Sequence, residues 1–401
     1  MRTAKLKDIT LTITDGKHGD CKNHDGSGYY FISCKDVYDE TIHYENARQI
    51  TEDDFRDADR RTNLAAYDIL ITNSGTIGRM ALVKDIPETR KTTFQKSVAI
   101  VRADTSQVVP NYLYYLLKSK VHDFINSSNG SAQKNLLLST MRDFDISFVD
   151  SFETQHRIAT ILSRYDSLIE NYQKQIKLLE EAAQRLYKEW FVDLHFPGHE
   201  NTKIVDGVPE GWEKKKVGEI GKVITGKTPS TANKENYGGR IPFITIPDMH
   251  TGIYPTSSQF LSDLGANSQN GKFIPINSLM VSCIGTAGLV CITKEKCQTN
   301  QQINSLILND TSLLYYMYNT FLSLKEHLNN IGSNGATMTN VNKSKFENID
   351  VLIPKTSISC MYNETVEQAF ISIKMLSSQI RLLTEARDRL LPKLMSGEIK
   401  V

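Results

Sequence analysis

The sequence lacks long apolar runs and has no excess of charge of either sign. None of its stretches approaches the ~20 consecutive apolar residues of a membrane-spanning helix, and residues 1–30 contain no apolar run of the signal-peptide kind. We therefore expect a cytoplasmic protein without membrane association. Its 47 basic and 46 acidic residues give a formal net charge of +1. This balance does not by itself point to nucleic acid, although one positive face is enough for DNA binding.

Paired cysteines are also absent. The six cysteines are scattered and none forms a C-x-x-C pair, so we expect free thiols in a reducing compartment rather than a disulfide framework. A zinc site built from Cys283, Cys291 and Cys297 would need a fourth ligand at an unusual spacing, which disfavours it.

The sequence motifs of common catalytic sites are missing as well. G-x-S-x-G, H-E-x-x-H, G-x-G-x-x-G and the N-P-P-Y run of amino-methyltransferases do not occur. Residues 221–228, GKVITGKT, do fit the phosphate-loop pattern G-x-x-x-x-G-K-[ST]. Such a loop needs a buried strand before it and an amphipathic helix after it, and neither flank has that composition. A nucleotide-dependent enzyme is therefore a disfavoured alternative, and we predict no catalysis in this chain.

What the sequence does contain is an internal repeat of about half its length. Residues 67–84, YDILITNSGTIGRMALVK, align with residues 277–294, NSLMVSCIGTAGLVCITK. Shorter matches precede and follow this pair, with the drift in spacing that small loop insertions produce. The same fold is thus predicted to occur twice.

Each copy ends in a stretch whose apolar residues recur in steps of four and three, which is the heptad spacing of a coiled coil. The predicted seam residues are Ile158, Leu162, Ile169, Ile176, Leu179 and Leu186 in the first helix and Val366, Ile373, Leu376, Ile380, Leu383 and Leu390 in the second. In the repeat, Arg387 replaces the apolar residue that Ala183 supplies, and Pro392 is predicted to end the second helix. Neither helix can bury its seam alone, so we expect an antiparallel pair with pseudo-twofold symmetry. The alternative is that each helix packs only on its own domain.

The predicted fold class is α+β, with two tandem mixed α/β domains that are each followed by a long helix. The first domain is expected at residues 1–150 and the central helix at 151–196. A linker and the second domain follow at 197–357, with the C-terminal helix and tail at 358–401. A coiled-coil scaffold without nucleic-acid binding would have the same layout and is a second alternative.

Polar residues surround the glycine-rich stretches GTIG at 75–78 and GTAG at 285–288. Such stretches form tight hairpin turns, and turns can also present side chains and N–H groups to phosphates or base edges. Arginine and glutamine can make paired hydrogen bonds to guanine and adenine respectively. The candidate DNA-binding residues are Lys17, His18, Thr76, Arg79, Gln95, Lys96, Ser131, Gln133 and Lys134 in the first copy and Lys227, Thr228, Thr286, Gln301, Gln302, Thr337, Asn340 and Lys343 in the second.

This layout resembles the specificity subunits of type I DNA restriction-modification systems, over essentially the whole chain. Besides the duplicated plan, the resemblance rests on VPEGW at 208–212, GKTP at 226–229, GTIG at 75–78 and LLPKLMSGE at 390–398. The first helix entry departs from the family, because Val149 stands where a proline is usual.

The resemblance implies a function and a set of partners. Each globular domain would be a target-recognition domain that reads one half of a split, non-palindromic DNA site, and the helices would set the spacing. Double-stranded DNA, two methyltransferase subunits and restriction/translocase subunits are the implied partners. S-adenosylmethionine, ATP and Mg are expected in those subunits, and no cofactor is expected in this chain.

Overall fold

The computed structural model describes residues 1–127, 135–333 and 339–401. The chain divides into two compact units. Unit 1 comprises Met1–Leu168 together with Leu383–Val401, and unit 2 comprises Ile169–Leu382. Each unit therefore contains a globular domain from one half of the sequence and a segment from both of the long helices.

Unit 1 is a mixed α and β structure. Its strands are β1 (Arg2–Lys5), β2 (Thr10–Asp15), β3 (Tyr30–Ile32), β4 (Val37–Tyr38), β5 (Thr41–Ile42), β6 (Ile69–Thr72), β7 (Met80–Leu82), β8 (Thr92–Phe94), β9 (Val98–Ala103) and β10 (Asp145–Phe148). Its helices are α1 (Glu52–Thr62), α2 (Pro110–Ser119), α3 (Val121–Asn126), α4 (Leu138–Arg142) and the beginning of the first long helix, α5 (Phe152–Tyr187).

Unit 2 repeats this composition. Its strands are β11 (Ile204–Val205), β12 (Val208–Pro209), β13 (Glu213–Lys216), β14 (Gly221–Thr225), β15 (Tyr237–Ile244), β16 (Gln259–Leu261), β17 (Leu279–Ser282), β18 (Val290–Ile292), β19 (Gln298–Thr299), β20 (Ile303–Leu308) and β21 (Asp350–Ile353). Its helices are α6 (Val217–Ile220), α7 (Ile246–Met249), α8 (Asp263–Asn267), α9 (Leu314–Ser323), α10 (Lys325–Ser333), α11 (Lys343–Glu347) and the larger part of the second long helix, α12 (Thr356–Met395). Short helical turns occur at Leu6–Ile9, Cys34–Asp36, Pro87–Lys91, Lys188–Val192, His199–Asn201, Lys234–Asn236 and Thr311–Leu313.

The two units share one sheet topology. Unit 1 has a four-stranded antiparallel sheet in the order β2-β9-β6-β7, and unit 2 has one in the order β14-β20-β17-β18. A separate antiparallel pair, β1 with β10 or β13 with β21, joins the beginning of each domain to its end. The repeat in the sequence is therefore a repeat of the fold.

Both faces of the inner strands β6 and β17 are covered, which explains why these strands do not alternate between buried and exposed residues. In β6, Ile69 and Ile71 lie in the same hydrophobic core as Tyr112 of α2. Leu70 points to the opposite side and packs in a second core with Phe94. The strand β17 is likewise buried along its whole length.

The long helices complete the core of each unit. In unit 1, Ile158 and Leu162 near the beginning of α5 share a core with Leu391 and Leu394 near the end of α12. In unit 2, residues near the beginning of α12, including Tyr362, share a core with the end of α5. Within each unit, the beginning of one long helix thus packs beside the end of the other, so the two helices run antiparallel. All twelve predicted seam positions are buried or half-buried.

The prediction that Pro392 ends the second long helix is wrong, because α12 continues through Pro392 to Met395. A proline inside a helix costs about 3 kcal/mol, since it removes one backbone hydrogen bond and crowds the preceding turn. Leu391, Leu394 and Met395 are all buried in the core of unit 1. Each such side chain contributes about 1.5–3 kcal/mol on burial, so the helical turn that places them there is retained.

All six cysteines are free. Burial raises the pKa of the Cys283, Cys291 and Cys297 thiols to about 12. In the described parts of the chain, no group of three or more His, Cys, Asp and Glu side chains is arranged to hold a metal ion. No helix of the described residues is long and apolar enough to cross a membrane.

Two glycines allow backbone segments to approach closely at equivalent places in the two units. A Cβ atom on Gly16 would lie 2.0 Å from the carbonyl oxygen of Phe94, and one on Gly226 would lie 2.1 Å from that of Asn300. No side chain fits at either position without moving the backbone.

We expect Leu162→Ala to lower the free energy of unfolding by about 2–5 kcal/mol, because Leu162 is fully buried in the core of unit 1. Denaturant-induced unfolding followed by circular dichroism measures the change. Leu178→Ala is the control on the same helix, where the side chain is 64% exposed, and should change the free energy by less than about 0.5 kcal/mol. Equal losses from the two substitutions would contradict the observed orientation of α5.

We also expect Gly16→Ala to lower the melting temperature. The steric clash with the backbone of Phe94 should reduce the free energy of unfolding by about 1–3 kcal/mol. Gly19→Ala, in the same loop, should leave it unchanged, because the nearest atom to its Cβ is 3.9 Å away. Differential scanning calorimetry of the two variants distinguishes them. An unchanged melting temperature for Gly16→Ala would show that the two backbone segments are not held together.

Candidate nucleic-acid interface

In unit 1, three segments that are distant in sequence meet beside the glycine turn. The backbone N–H of Lys17 donates to the carbonyl of Phe94 at 2.8 Å, and the N–H of Lys96 donates to the carbonyl of Lys17 at 3.2 Å. The N–H of Asn73 donates to the carbonyl of Ser97 at 3.0 Å. The segment before strand β9 therefore connects the end of β2 to the end of β6, where the turn begins.

A fourth segment adds to this group, because Ser74 forms a β-bridge with Asn135. We call the assembled group turn cluster 1. Its members are Lys17, Thr76, Arg79, Gln95, Lys96, Ser97 and Asn135.

Unit 2 builds the same arrangement from the equivalent segments. The N–H of Lys227 donates to the carbonyl of Thr299 at 2.9 Å, and the N–H of Cys283 donates to the carbonyl of Gln302 at 2.8 Å. Asn340 forms a β-bridge with Ile284. We call this group turn cluster 2. Its members are Lys227, Thr228, Thr286, Leu289, Asn300, Gln301, Gln302 and Asn340.

The glycine turns are hairpin turns, between β6 and β7 in unit 1 and between β17 and β18 in unit 2. Gly75 and Gly78 have φ angles of 75° and 89°, a left-handed conformation that glycine adopts without strain. Gly285 and Gly288 have nearly the same angles, 76° and 90°. Both turns expose a threonine at the tip, Thr76 in one case and Thr286 in the other, so two equivalent polar tips are available to a ligand.

Lys17 of turn cluster 1 and the neighbouring His18 lie beside acidic residues. The Nζ atom of Lys17 lies 3.1 Å from a carboxylate oxygen of Asp57 and 3.6 Å from one of Asp54, both on α1. The contact with Asp57 raises the pKa of Lys17 and lowers that of Asp57 itself. His18 lies 2.9 Å from the buried carboxylate of Asp15. The charge of Lys17 is therefore already balanced within unit 1.

The equivalent lysine of turn cluster 2 has a different environment. Lys227 is exposed, and within the described ranges no carboxylate lies at ion-pair distance from it. Its neighbour Thr228 donates to the side-chain oxygen of Gln301 at 2.5 Å. Among the residues that the structure describes, Lys227 of cluster 2 thus has no carboxylate partner, and it lies next to the Thr228–Gln301 hydrogen bond.

The remaining predicted residues are placed less closely together. The side chain of Lys343 lies 3.4 Å from Glu347 of its own helix, and no described contact joins it to turn cluster 2. Ser131, Gln133, Lys134 and Thr337 lie outside the described residues.

Three polar members of these clusters, Ser97, Asn135 and Asn300, are absent from the sequence-based set. The hydroxyl of Ser97 accepts a hydrogen bond from the N–H of Cys34 at 3.1 Å. The side-chain amide of Asn300 donates to the side-chain oxygen of Gln302 at 3.0 Å. The backbone bonds from Asn73 to Ser97 and from Cys283 to Gln302 make Ser97 equivalent to Gln302. An alignment of the repeat with a gap between the glycine turns and β9 or β20 would have revealed this match.

The phosphate-loop pattern at residues 221–228 does not form a phosphate loop. Its first five residues are the edge strand β14. The next helical segment is the short turn Lys234–Asn236, so no helix N-terminus follows Lys227 and Thr228. Without a helix N-terminus, the loop lacks the donors that hold a phosphate.

Comparison with known proteins agrees with this architecture. The family described as type I restriction modification DNA specificity domain matches residues 3–181 and 209–373. The chain is 31% identical over 369 residues to the type I restriction enzyme HindI specificity subunit of Haemophilus influenzae, a match that covers 75% of this chain and 80% of that protein. It is 31% identical over 394 residues to the MjaIX specificity subunit of Methanocaldococcus jannaschii, covering 95% and 89%.

A solved structure shares the fold. The S subunit of a type I restriction-modification system from M. genitalium aligns with a TM-score of 0.60 at 15% sequence identity, over 98% of this chain and 96% of that chain. The two matched segments of the family coincide with the two copies of the fold and with the beginnings of the long helices that follow them. The chain therefore belongs to the family of type I restriction-modification DNA specificity subunits.

Proposed function

We propose that this chain is the non-catalytic DNA-recognition subunit of a type I restriction-modification complex and reads a split, non-palindromic site. The observation that carries the proposal is the pair of turn clusters, which share a backbone arrangement but differ in side chains. Arg79 of cluster 1 corresponds to Leu289 of cluster 2, since both follow the second glycine of the turn, and Ser97 corresponds to Gln302. Because base recognition depends on side-chain donors and acceptors, equivalent backbones with different side chains read different half-sites.

The long helices set the distance between the two half-sites in this proposal. Two contacts on one face of a DNA duplex lie roughly one helical turn, or ~10 base pairs, apart. The domain limits of residues 1–150 and 197–357 then mark the two recognition modules, which are joined by the helices at 151–196 and 358–401.

The proposal assigns the chemistry to other subunits. Two methyltransferase subunits would flip out an adenine and methylate it with S-adenosylmethionine, and restriction/translocase subunits would use ATP and Mg. This chain would provide the sequence-specific DNA recognition for both kinds of subunit and would bind no cofactor itself. Such a complex works on chromosomal DNA, and therefore in the cytoplasm of a bacterial or archaeal cell. The names of the HindI and MjaIX specificity subunits support the assignment.

Replacement of residues 1–150 by the first domain of another specificity subunit should change one half of the methylated motif and leave the other half unchanged. The reason is that each turn cluster belongs to one unit. Base-modification mapping of cells that express the chain with its methyltransferase gives the motif directly. Exchange of residues 197–357 is the matched experiment for the other half. A change in both halves, or in neither, would contradict the modular assignment.

Lys227→Ala should reduce the salt dependence of DNA binding more than Lys17→Ala does. A lysine that neutralises one phosphate contributes about 0.9 to the slope of log K against log salt concentration, and Lys17 is already paired with Asp54 and Asp57. Fluorescence anisotropy with a labelled duplex from 50 to 200 mM salt measures the slopes. Lys227→Arg keeps the charge and should keep the slope. Equal slopes for the two alanine variants would disprove this difference between the clusters.

A further inference from the structure

Arg387, which interrupts the apolar seam of α12, is a buried cation with several partners. Its side chain is 6% exposed. One guanidinium nitrogen lies 2.8 Å from a carboxylate oxygen of Glu40 and 2.6 Å from one of Asp166 on α5. Another donates to Asp388 at 3.0 Å. Arg387 therefore joins both long helices to a residue near the beginning of the sequence, all within unit 1.

Glu40 is held by a second cation as well. The Nζ atom of Lys118 on α2 lies 2.6 Å from the other oxygen of Glu40, and Tyr114 donates to Glu40 at 3.4 Å. We call this group the charge cluster. Its members are Glu40, Lys118, Asp166, Arg387 and Asp388. Of these five residues, Glu40 lies in a turn of the globular domain and the other four lie on helices.

The backbone at Glu40 has a conformation that glutamate adopts only at an energetic cost. Asp39 and Glu40 form the two-residue turn between β4 and β5, with φ angles of 47° and 62°. Such a turn favours Asn-Gly or Asp-Gly, so Asp39 fits its position, whereas Glu40 stands where glycine is preferred and is strained at its positive φ. A strained turn persists when its surroundings fix it, and here the two cations bound to Glu40 do so.

The β4–β5 hairpin is linked to turn cluster 1 through its packing against β7. Both of its strands lie against β7, the strand that begins at Met80, immediately after Arg79. A cavity of about 600 Å³ is lined by Glu40, Arg79, Lys118 and Asp388 among others. The charge cluster and the glycine turn therefore line the same cavity. A displacement of Glu40 would therefore shift the hairpin that packs against β7, the strand that directly follows Arg79.

In unit 2, the positions equivalent to Arg387 and Asp166 are uncharged. The repeat places Ala183 at the position of Arg387 and Phe370 at that of Asp166. Phe370 stacks on Tyr315 with ring centroids 4.1 Å apart, and Tyr362 donates its hydroxyl hydrogen to the carbonyl of Ala183 at 3.1 Å. Since the same fold is built from aromatic and apolar contacts in unit 2, the charge cluster is not a requirement of the fold.

We propose that Arg387 is a positioning residue for DNA recognition. Through Glu40, it fixes turn cluster 1 in the orientation that discriminates bases at the half-site of the first domain. This role rests on the proposed function, and it is specific to one half of the site because the charge cluster lies within unit 1.

The test uses the full chain and synthetic duplexes that carry the motif found by base-modification mapping, with single base changes in either half. The domain exchange described above identifies the half that the first domain reads. Arg387→Met should reduce discrimination against mismatches in that half about tenfold and leave discrimination in the other half within about twofold. Arg387→Lys keeps a cation beside Asp166 and should restore part of the loss. Glu40→Gln, at a side chain that is 32% exposed, should show the same selective loss if Arg387→Met does not fold.

Ile146→Ala is the control for stability alone, because it truncates a fully buried side chain in the core of unit 1 on β10, a strand that contributes no member of the charge cluster. The positioning role is overturned if Arg387→Met and Glu40→Gln leave discrimination unchanged, affect both halves equally, or merely follow the loss seen in Ile146→Ala at matched melting temperature. Failure of the proposed function looks different, since the unmodified chain would then bind all duplexes alike.

Discussion

The structure depends on the burial of two apolar helix faces that neither half of the sequence can cover by itself. Leu391 and Leu394 from the end of the chain fill the core of unit 1 beside Ile158 and Leu162, so the first domain is completed by the last helix. In unit 2, the beginning of α12 and the end of α5 share a core in the same way. Helix burial, rather than strand pairing between domains, is what joins the halves of the sequence.

Much of the fold could be predicted because the relevant signals are local or repeated. The glycines at 75–78 and 285–288 indicated hairpin turns, and their positive φ angles explain why glycine is needed at Gly75 and Gly285. The heptad spacing predicted both long helices. The end of α12 could not be predicted from Pro392, because the local cost of a proline was outweighed by the burial of Leu391, Leu394 and Met395, and burial is decided by a domain that lies far away in sequence.

The sequence indicated several residues of the candidate interface, but it did not indicate which of their charges are paired. The sequence-based set includes both Lys17 and Lys227, and the structure places both in the same backbone setting. Their charges nevertheless differ in effect, because α1 brings Asp54 and Asp57 beside Lys17 alone. The role of Arg387 was equally hidden, since its partner Glu40 is contributed by a two-residue turn near the other end of the chain. Sequence periodicity identifies a residue that breaks a pattern, but only the tertiary structure identifies what it contacts.

The contribution of the C-terminal residues to the first domain also affects how the protein folds during synthesis. The first 150 residues leave the ribosome early, yet the apolar face formed by Ile158 and its neighbours stays uncovered until Leu391 and Leu394 emerge. Closing a chain segment of this length carries an entropic cost, and long-range contacts of this kind slow folding. The domain that is made first is therefore the one that is finished last, and until the end of α12 has been synthesised it exposes an apolar surface that chaperones can bind.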